Sequence, residues 1–186
     1  NMSKDISLIM DIGGGSTEFI LANNETVFWK ESYLLGAARL LDRIKPSDPI
    51  TQAEIDTFNA HLKQELSSLF EAATKYVPTE LIGSSGAFDS VVDIIAGKFS
   101  TQVLVDEITE YNIDLAKYAD ISAMVKASTI EERNHMKGLI NMRVDMMVIS
   151  ILLIDFVLRE LNLQAMRVST FSLKEGVISK KLGLSL

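Results

Sequence analysis

The stretch that decides the fold is "LIMDIGGGSTEFIL", residues 8–21. Three glycines separate two apolar runs. Asp11 stands just before them, and Ser16, Thr17 and Glu18 just after. Residues 6–12 read as a buried strand and 17–22 as a second. A two-residue hairpin turn rarely needs three glycines. A phosphate, by contrast, needs several N–H groups converging on it with no side chains in the way, and Gly13, Gly14 and Gly15 supply that freedom. Ser16 and Thr17 add hydroxyl donors. Composition alone leaves a tight turn and a phosphate cradle both open. Asp11, closing the first strand, is placed to hold Mg²⁺ directly or through water. Glu18 could hold the metal too, or orient water. No G-K-[ST] follows, so this is not a Walker A loop. A strand follows the glycines rather than a helix, so it is not the dinucleotide fingerprint.

Working outward, "ANNET" (22–26) carries turn chemistry, and 26–34 reads as a third strand. Residues 34–45 look helical and stop at Pro46. Thr51 and Glu54 form a T-x-x-E capping box that opens a long amphipathic helix over 52–76. "TELIGSSGAFDSVVDIIAG" (79–97) repeats the strand, glycine turn and helix, with Gly97 as its end. The pattern over 106–127 is helical, and Thr129 with Glu132 forms a second capping box. Residues 140–162 make a helix apolar nearly all round, 165–170 a strand, and 172–182 a closing helix. Antiparallel strands added to a parallel core predict an α/β domain, with no internal boundary from 1 to 186.

Hydrophobic residues make up 47% of the chain and only three prolines occur, enough apolar material for a core. The net charge of −7 argues against broad nucleic-acid binding, which rests on neutralising phosphates with Lys and Arg. It does not exclude a small phosphorylated ligand at one local site. There is no cysteine, so disulfides and thiolate chemistry are absent and a reducing cytoplasm is the expected location. The most apolar run, 146–154, is too short to span a bilayer, so no membrane partner is expected.

"GSSGA" (83–87) lies between a strand and a helix. The free N–H groups of a helix N-terminus suit an anion, which Gly83 and Gly86 would let approach. The competing reading is a helix cap supplied by Ser84 or Ser85. Among the charged residues, Arg39 reads equally as a phosphate contact or a structural pair. Arg143 and Asp145, in an apolar helix, read as an ion-pair network. Arg133 and Lys137 could face a long anionic substrate or water. His61 reads as solvent-facing, and His135 lacks metal-ligand spacing.

Two glycine turns separated by a long helical excursion suit one ligand held across a sheet's edge. "DIGGGSTEF" resembles the second phosphate motif of the acetate and sugar kinase, heat-shock-cognate and actin superfamily, and "GSSGAFDS" resembles its adenosine-side motif. Within that superfamily, "SYLLGAARLLD" (32–42), "ERNHMKGLINMRVDMM" (132–147) and "VSTFSLKEGVI" (168–178) resemble the exopolyphosphatase and guanosine pentaphosphate phosphohydrolase family, with Lys174 in place of the usual Arg.

The resemblance implies a ribonuclease-H-like (actin-like ATPase) lobe: a mixed sheet with helices on both faces. It implies a bacterial phosphohydrolase acting on polyphosphate or guanosine pentaphosphate, with Mg²⁺ as cofactor. Asp11 and Glu18 match the family's acidic metal-site residues. Gly13, Gly14, Gly15, Ser16 and Thr17 match its phosphate cradle, and Gly83, Ser84, Ser85 and Gly86 its second turn. The chain would then be the second of two lobes, a single domain lacking the first lobe and inactive alone, with a homodimer as an expected assembly. The alternatives are an ATP-dependent small-molecule kinase of the same superfamily and a non-catalytic nucleotide-binding module.

Overall fold

The computed structural model describes residues 4–99 and 110–169 of the chain. In order these form β1 (Ser7–Ile12), β2 (Thr17–Ala22), β3 (Val27–Tyr33), α1 (Ala37–Ile44), α2 (Gln52–Glu65), α3 (Ser67–Tyr76), β4 (Glu80–Ser84) and α4 (Gly86–Phe99). There follow β5 (Glu110–Ile113), α5 (Leu115–Ala127), α6 (Ile130–Asn134), a 3₁₀ turn (Asn141–Arg143), α7 (Met147–Glu160) and β6 (Met166–Ser169). The strands make one mixed sheet in the order β3-β2-β1-β4-β6-β5. β1, β2 and β3 form an antiparallel meander. β4 pairs parallel with both β1 and β6, and β5 closes the far edge antiparallel to β6. The expected parallel core with antiparallel additions is therefore present.

Strand alternation decides which side chains enter the core. Leu8, Met10 and Ile12 of β1 are buried together with Phe19 and Leu21 of β2. Tyr33 meets Phe19 edge to face at 5.7 Å, and its hydroxyl lies 2.6 Å from Ser68 Oγ of α3. The Phe88 ring of α4 fills the space over Gly83, where a Cβ would come within 2.0 Å of it. Ten of the fourteen residues of α7 are buried, which makes it the central helix that the sequence predicts.

Both capping boxes are present. The Thr51 hydroxyl accepts from the Glu54 amide, and Thr129 does the same for Glu132. The long helix expected over 52–76 is broken at Leu66, whose ψ of 20° leaves the helical range. The break swings α3 toward β3, where Ser68 also donates to Glu31. α4 runs through Gly97 to Phe99, and the glycine at 97 does not end the helix but leaves room for the Lys137 backbone, which packs where a side chain would stand. The helical reading of 106–127 is corrected at its start: 110–113 is an edge strand. Asp114 then caps α5 through the amides of Ala116 and Lys117. The helix expected from 140 begins at Met147. Ahead of it the Val144 carbonyl accepts from the buried Arg133 guanidinium. The closing helix expected over 172–182 lies outside the described residues.

Candidate functional site

The site forms where the carboxyl ends of β1 and β4 lie side by side. β1 is the strand at which the antiparallel meander meets the parallel half. The chain leaves β1 toward β2 and leaves β4 toward α4, which opens a crevice between them.

The glycine loop is held from behind. The Gly13 amide donates to the Ser16 carbonyl at 2.9 Å, which closes the turn. All three glycine carbonyls are taken by α1: Gly13 accepts from the Ala37 amide, Gly14 from the Arg39 amide and Gly15 from Arg39 Nε. Gly36 makes this possible, since a Cβ there would sit 2.4 Å from backbone atoms of Gly15 and Ser16. With the carbonyls drawn toward α1, the amides of Gly14, Gly15 and Ser16 have no backbone acceptor among the described residues. Successive unpaired amides of this kind form an anion-binding concavity.

One polar row crosses four strands at this level. Ser32 of β3 pairs with Glu18 of β2, Glu18 with Asp11 of β1, and Asp11 with Ser84 of β4. Register partners project to the same face, so both carboxylates and the two flanking hydroxyls share one side of the sheet. The Ser16 and Ser32 hydroxyls donate to Glu18 Oε1 at 2.6 and 2.7 Å, fixing that carboxylate. Ser84 is 3% exposed, and its Oγ has no hydrogen-bond partner among the described residues. No group of three or more acidic, His or Cys side chains gathers among the described residues. Two carboxylates with a hydroxyl suit Mg²⁺, which keeps several waters and is commonly bound by one or two carboxylates plus substrate phosphates.

The other expected site residues separate into contacts and supports. Thr17 is fully buried and its hydroxyl donates to the Leu35 carbonyl, so that side chain frames the loop and does not face a ligand. Gly83 lies on the core side beneath Phe88, a packing role rather than a ligand approach. Ser85 takes a positive φ of 77°, and its hydroxyl donates to the Ile12 carbonyl, tying the two turns together. Neither serine hydroxyl caps α4, whose Phe88 and Asp89 amides instead donate to the Ser85 carbonyl.

Arg143 was missed as a site residue. Its guanidinium lies over Gly86, where a Cβ would come within 1.9 Å of it, and its Nη1 donates to Ser90 Oγ at 3.0 Å. With Gly13, Gly14, Ala37, Gly86 and Met146 it lines a cavity of about 180 Å³. Burial pushes the nearby Asp89 carboxyl upward, while the Arg143 charge works against that rise. The signal was a charged residue at the edge of an apolar run, opposite a glycine that leaves room for it. Arg133 is corrected in the other direction. It is buried, bonded to the Ser128 and Val144 carbonyls and paired with Asp48 at 3.0 Å, so it faces no substrate. His61 is half-buried rather than solvent-facing, with Nε2 3.2 Å from Arg43.

Residues 1–185 match the Ppx/GppA phosphatase family. The chain belongs to this family. It is 36% identical to an exopolyphosphatase from Cytophaga hutchinsonii, with a TM-score of 0.93 over 99% of this chain and 59% of that one. It is 25% identical over 179 residues to exopolyphosphatase 1 of Mycobacterium bovis, covering 94% of this chain and 50% of that protein. A Ppx/GppA phosphatase from Aquifex aeolicus, 20% identical, shares the fold with a TM-score of 0.78 over 96% of this chain and 57% of that one. The chain thus spans about half the length of the curated relatives it matches. As a family member it has the actin-like fold expected from "DIGGGSTEF" and its neighbouring motifs. Among the described residues no helix is long and apolar enough to cross a membrane.

Proposed function

We propose that this chain is the phosphate-gripping lobe of a phosphoanhydride hydrolase that removes the terminal phosphate of inorganic polyphosphate. The observation that carries this reading is the glycine loop, whose three carbonyls are held by α1 while the amides of residues 14–16 are left without backbone acceptors among the described residues. Phosphoryl transfer is catalysed mainly by positioning and charge neutralisation, so the protein needs donors in place before the substrate arrives. The outward amides of residues 14–16 would hold the terminal phosphate, and the Arg143 guanidinium beside the α4 N-terminus would meet the next one along the chain. Asp11 and Glu18 would hold Mg²⁺, which when bound neutralises developing charge on the phosphoryl oxygens. The attacking water would be activated by a carboxylate from outside residues 1–186, so the chain alone should release little phosphate.

The test is phosphate release by the longer protein that contains this lobe, with polyphosphate and guanosine pentaphosphate offered separately. Asp11→Ala and Glu18→Ala should each lower turnover by about 10²-fold or more, the usual cost of losing a preorganised electrostatic contact. Unchanged turnover in both variants would sink the assignment. A preference for guanosine pentaphosphate would move the substrate while leaving the site in place.

A further inference from the structure

We propose that Ser84 Oγ is the third protein oxygen of the divalent-cation site. This rests on the reading that Asp11 and Glu18 hold that cation. Ser84 is almost wholly buried and its hydroxyl lacks a partner among the described residues. A buried hydroxyl with no hydrogen bond is unfavourable, and such a group in a native structure calls for a partner not yet in place. Its neighbours show how unusual this is. The hydroxyls of Ser16 and Ser32 bind Glu18, Ser85 binds the Ile12 carbonyl, Ser90 accepts from Arg143 and Ser150 donates to Met146.

The register indicates what the missing partner is. Ser84 stands beside Asp11 in the parallel β1–β4 pair, on the face that also carries Glu18 one strand further along. Neighbouring strands lie roughly 4.8 Å apart, so an ion or its water between Asp11 and Ser84 is within reach of both side chains. A neutral hydroxyl oxygen is a hard ligand of the kind Mg²⁺ and Mn²⁺ accept. Helix capping does not account for the residue, because its hydroxyl accepts from no amide of α4 among the described residues.

The chain contains no cysteine, so Ser84→Cys would introduce its sole thiol and a clean optical probe. The full chain is titrated with Mn²⁺, followed by electron paramagnetic resonance, and with Cd²⁺, followed by ultraviolet absorption. Ser84→Ala should weaken Mn²⁺ binding by about ten-fold. Its melting temperature without metal should match or exceed that of the parent, since the hydroxyl it removes is unpaired. Ser84→Cys should favour Cd²⁺ and show a thiolate-to-cadmium charge-transfer band. That band should vanish when Asp11→Asn is added. Parental Mn²⁺ affinity in Ser84→Ala, with no band in Ser84→Cys, would overturn the inference while leaving Asp11 and Glu18 as ligands. A marked fall in the melting temperature of Ser84→Ala would overturn it too, by revealing a structural bond. Equal Mn²⁺ binding by the parent and Asp11→Asn would remove the underlying cation reading instead.

Discussion

Arg39 is the residue on which the glycine loop turns. Its amide and its Nε hold two consecutive loop carbonyls, so one side chain helps set the direction of the amides in front. Arg39→Ala should shift the amide resonances of Gly14, Gly15 and Ser16 and weaken pyrophosphate binding by the chain. Arg39→Lys should restore neither, because lysine carries a methylene where arginine carries the Nε that bonds the Gly15 carbonyl. Gly36→Ala is the harsher test of the same contact. Its Cβ would meet loop backbone, which cannot swing aside as a flexible side chain can. A loss of about 1–3 kcal/mol in chemical denaturation is expected. The glycine loop was legible in the sequence because its chemistry lies within six consecutive residues. Arg143 was not, since its meaning depends on Gly86, a residue distant in sequence that only folding brings beneath it. Arg133 illustrates the same limit in reverse: nothing local distinguishes a buried arginine from a solvated one.

At the scale of elements, the starts of α2 and α6 were readable, because each is marked by a capping box, a contact between residues three apart. The break at Leu66 was not readable, since the apolar spacing continues across it. The α2 box also makes a prediction about acid. Hydrogen bonds from Ser47, then from Thr51, lower the Glu54 carboxyl from 4.5 to about 2. The folded state binds this proton less readily than the unfolded state. The box is therefore fully stabilising above the unfolded value of 4.5, and that contribution is lost as pH falls toward about 2. Glu54→Gln lacks the titration, so its melting temperature should lie below that of the parent near neutrality and converge on it through this window. Parallel melting curves across the window would contradict the assignment.

For the whole molecule, long-range ties matter more than any single element. Arg133 Nη2 bonds Asp48 across 85 residues of chain and fastens α6 to the segment before α2. Arg133→Met would leave Asp48 without that partner and strand the Ser128 and Val144 carbonyls. A loss of about 3 kcal/mol is expected, at the low end for a broken buried pair because Asp48 is partly exposed. In a chain of this size that corresponds to a melting temperature lower by roughly 6–12 °C. The strand order was legible only in outline, since parallel pairing joins segments that share no local signal. That order also bears on how the site is assembled. β1, the glycine loop, β2 and β3 are contiguous, whereas β4 joins β1 through residues 73 apart and β6 joins β4 through residues as much as 87 apart. Closing those longer loops carries the larger entropic cost. The meander should therefore be largely formed in the folding transition state, with β4 and β6 added afterwards. Destabilising substitutions in β2 should then slow refolding, and those in β6 should mainly accelerate unfolding. The two sides of the crevice would be made at different times, and the anion cradle would exist before Ser84 arrives beside it.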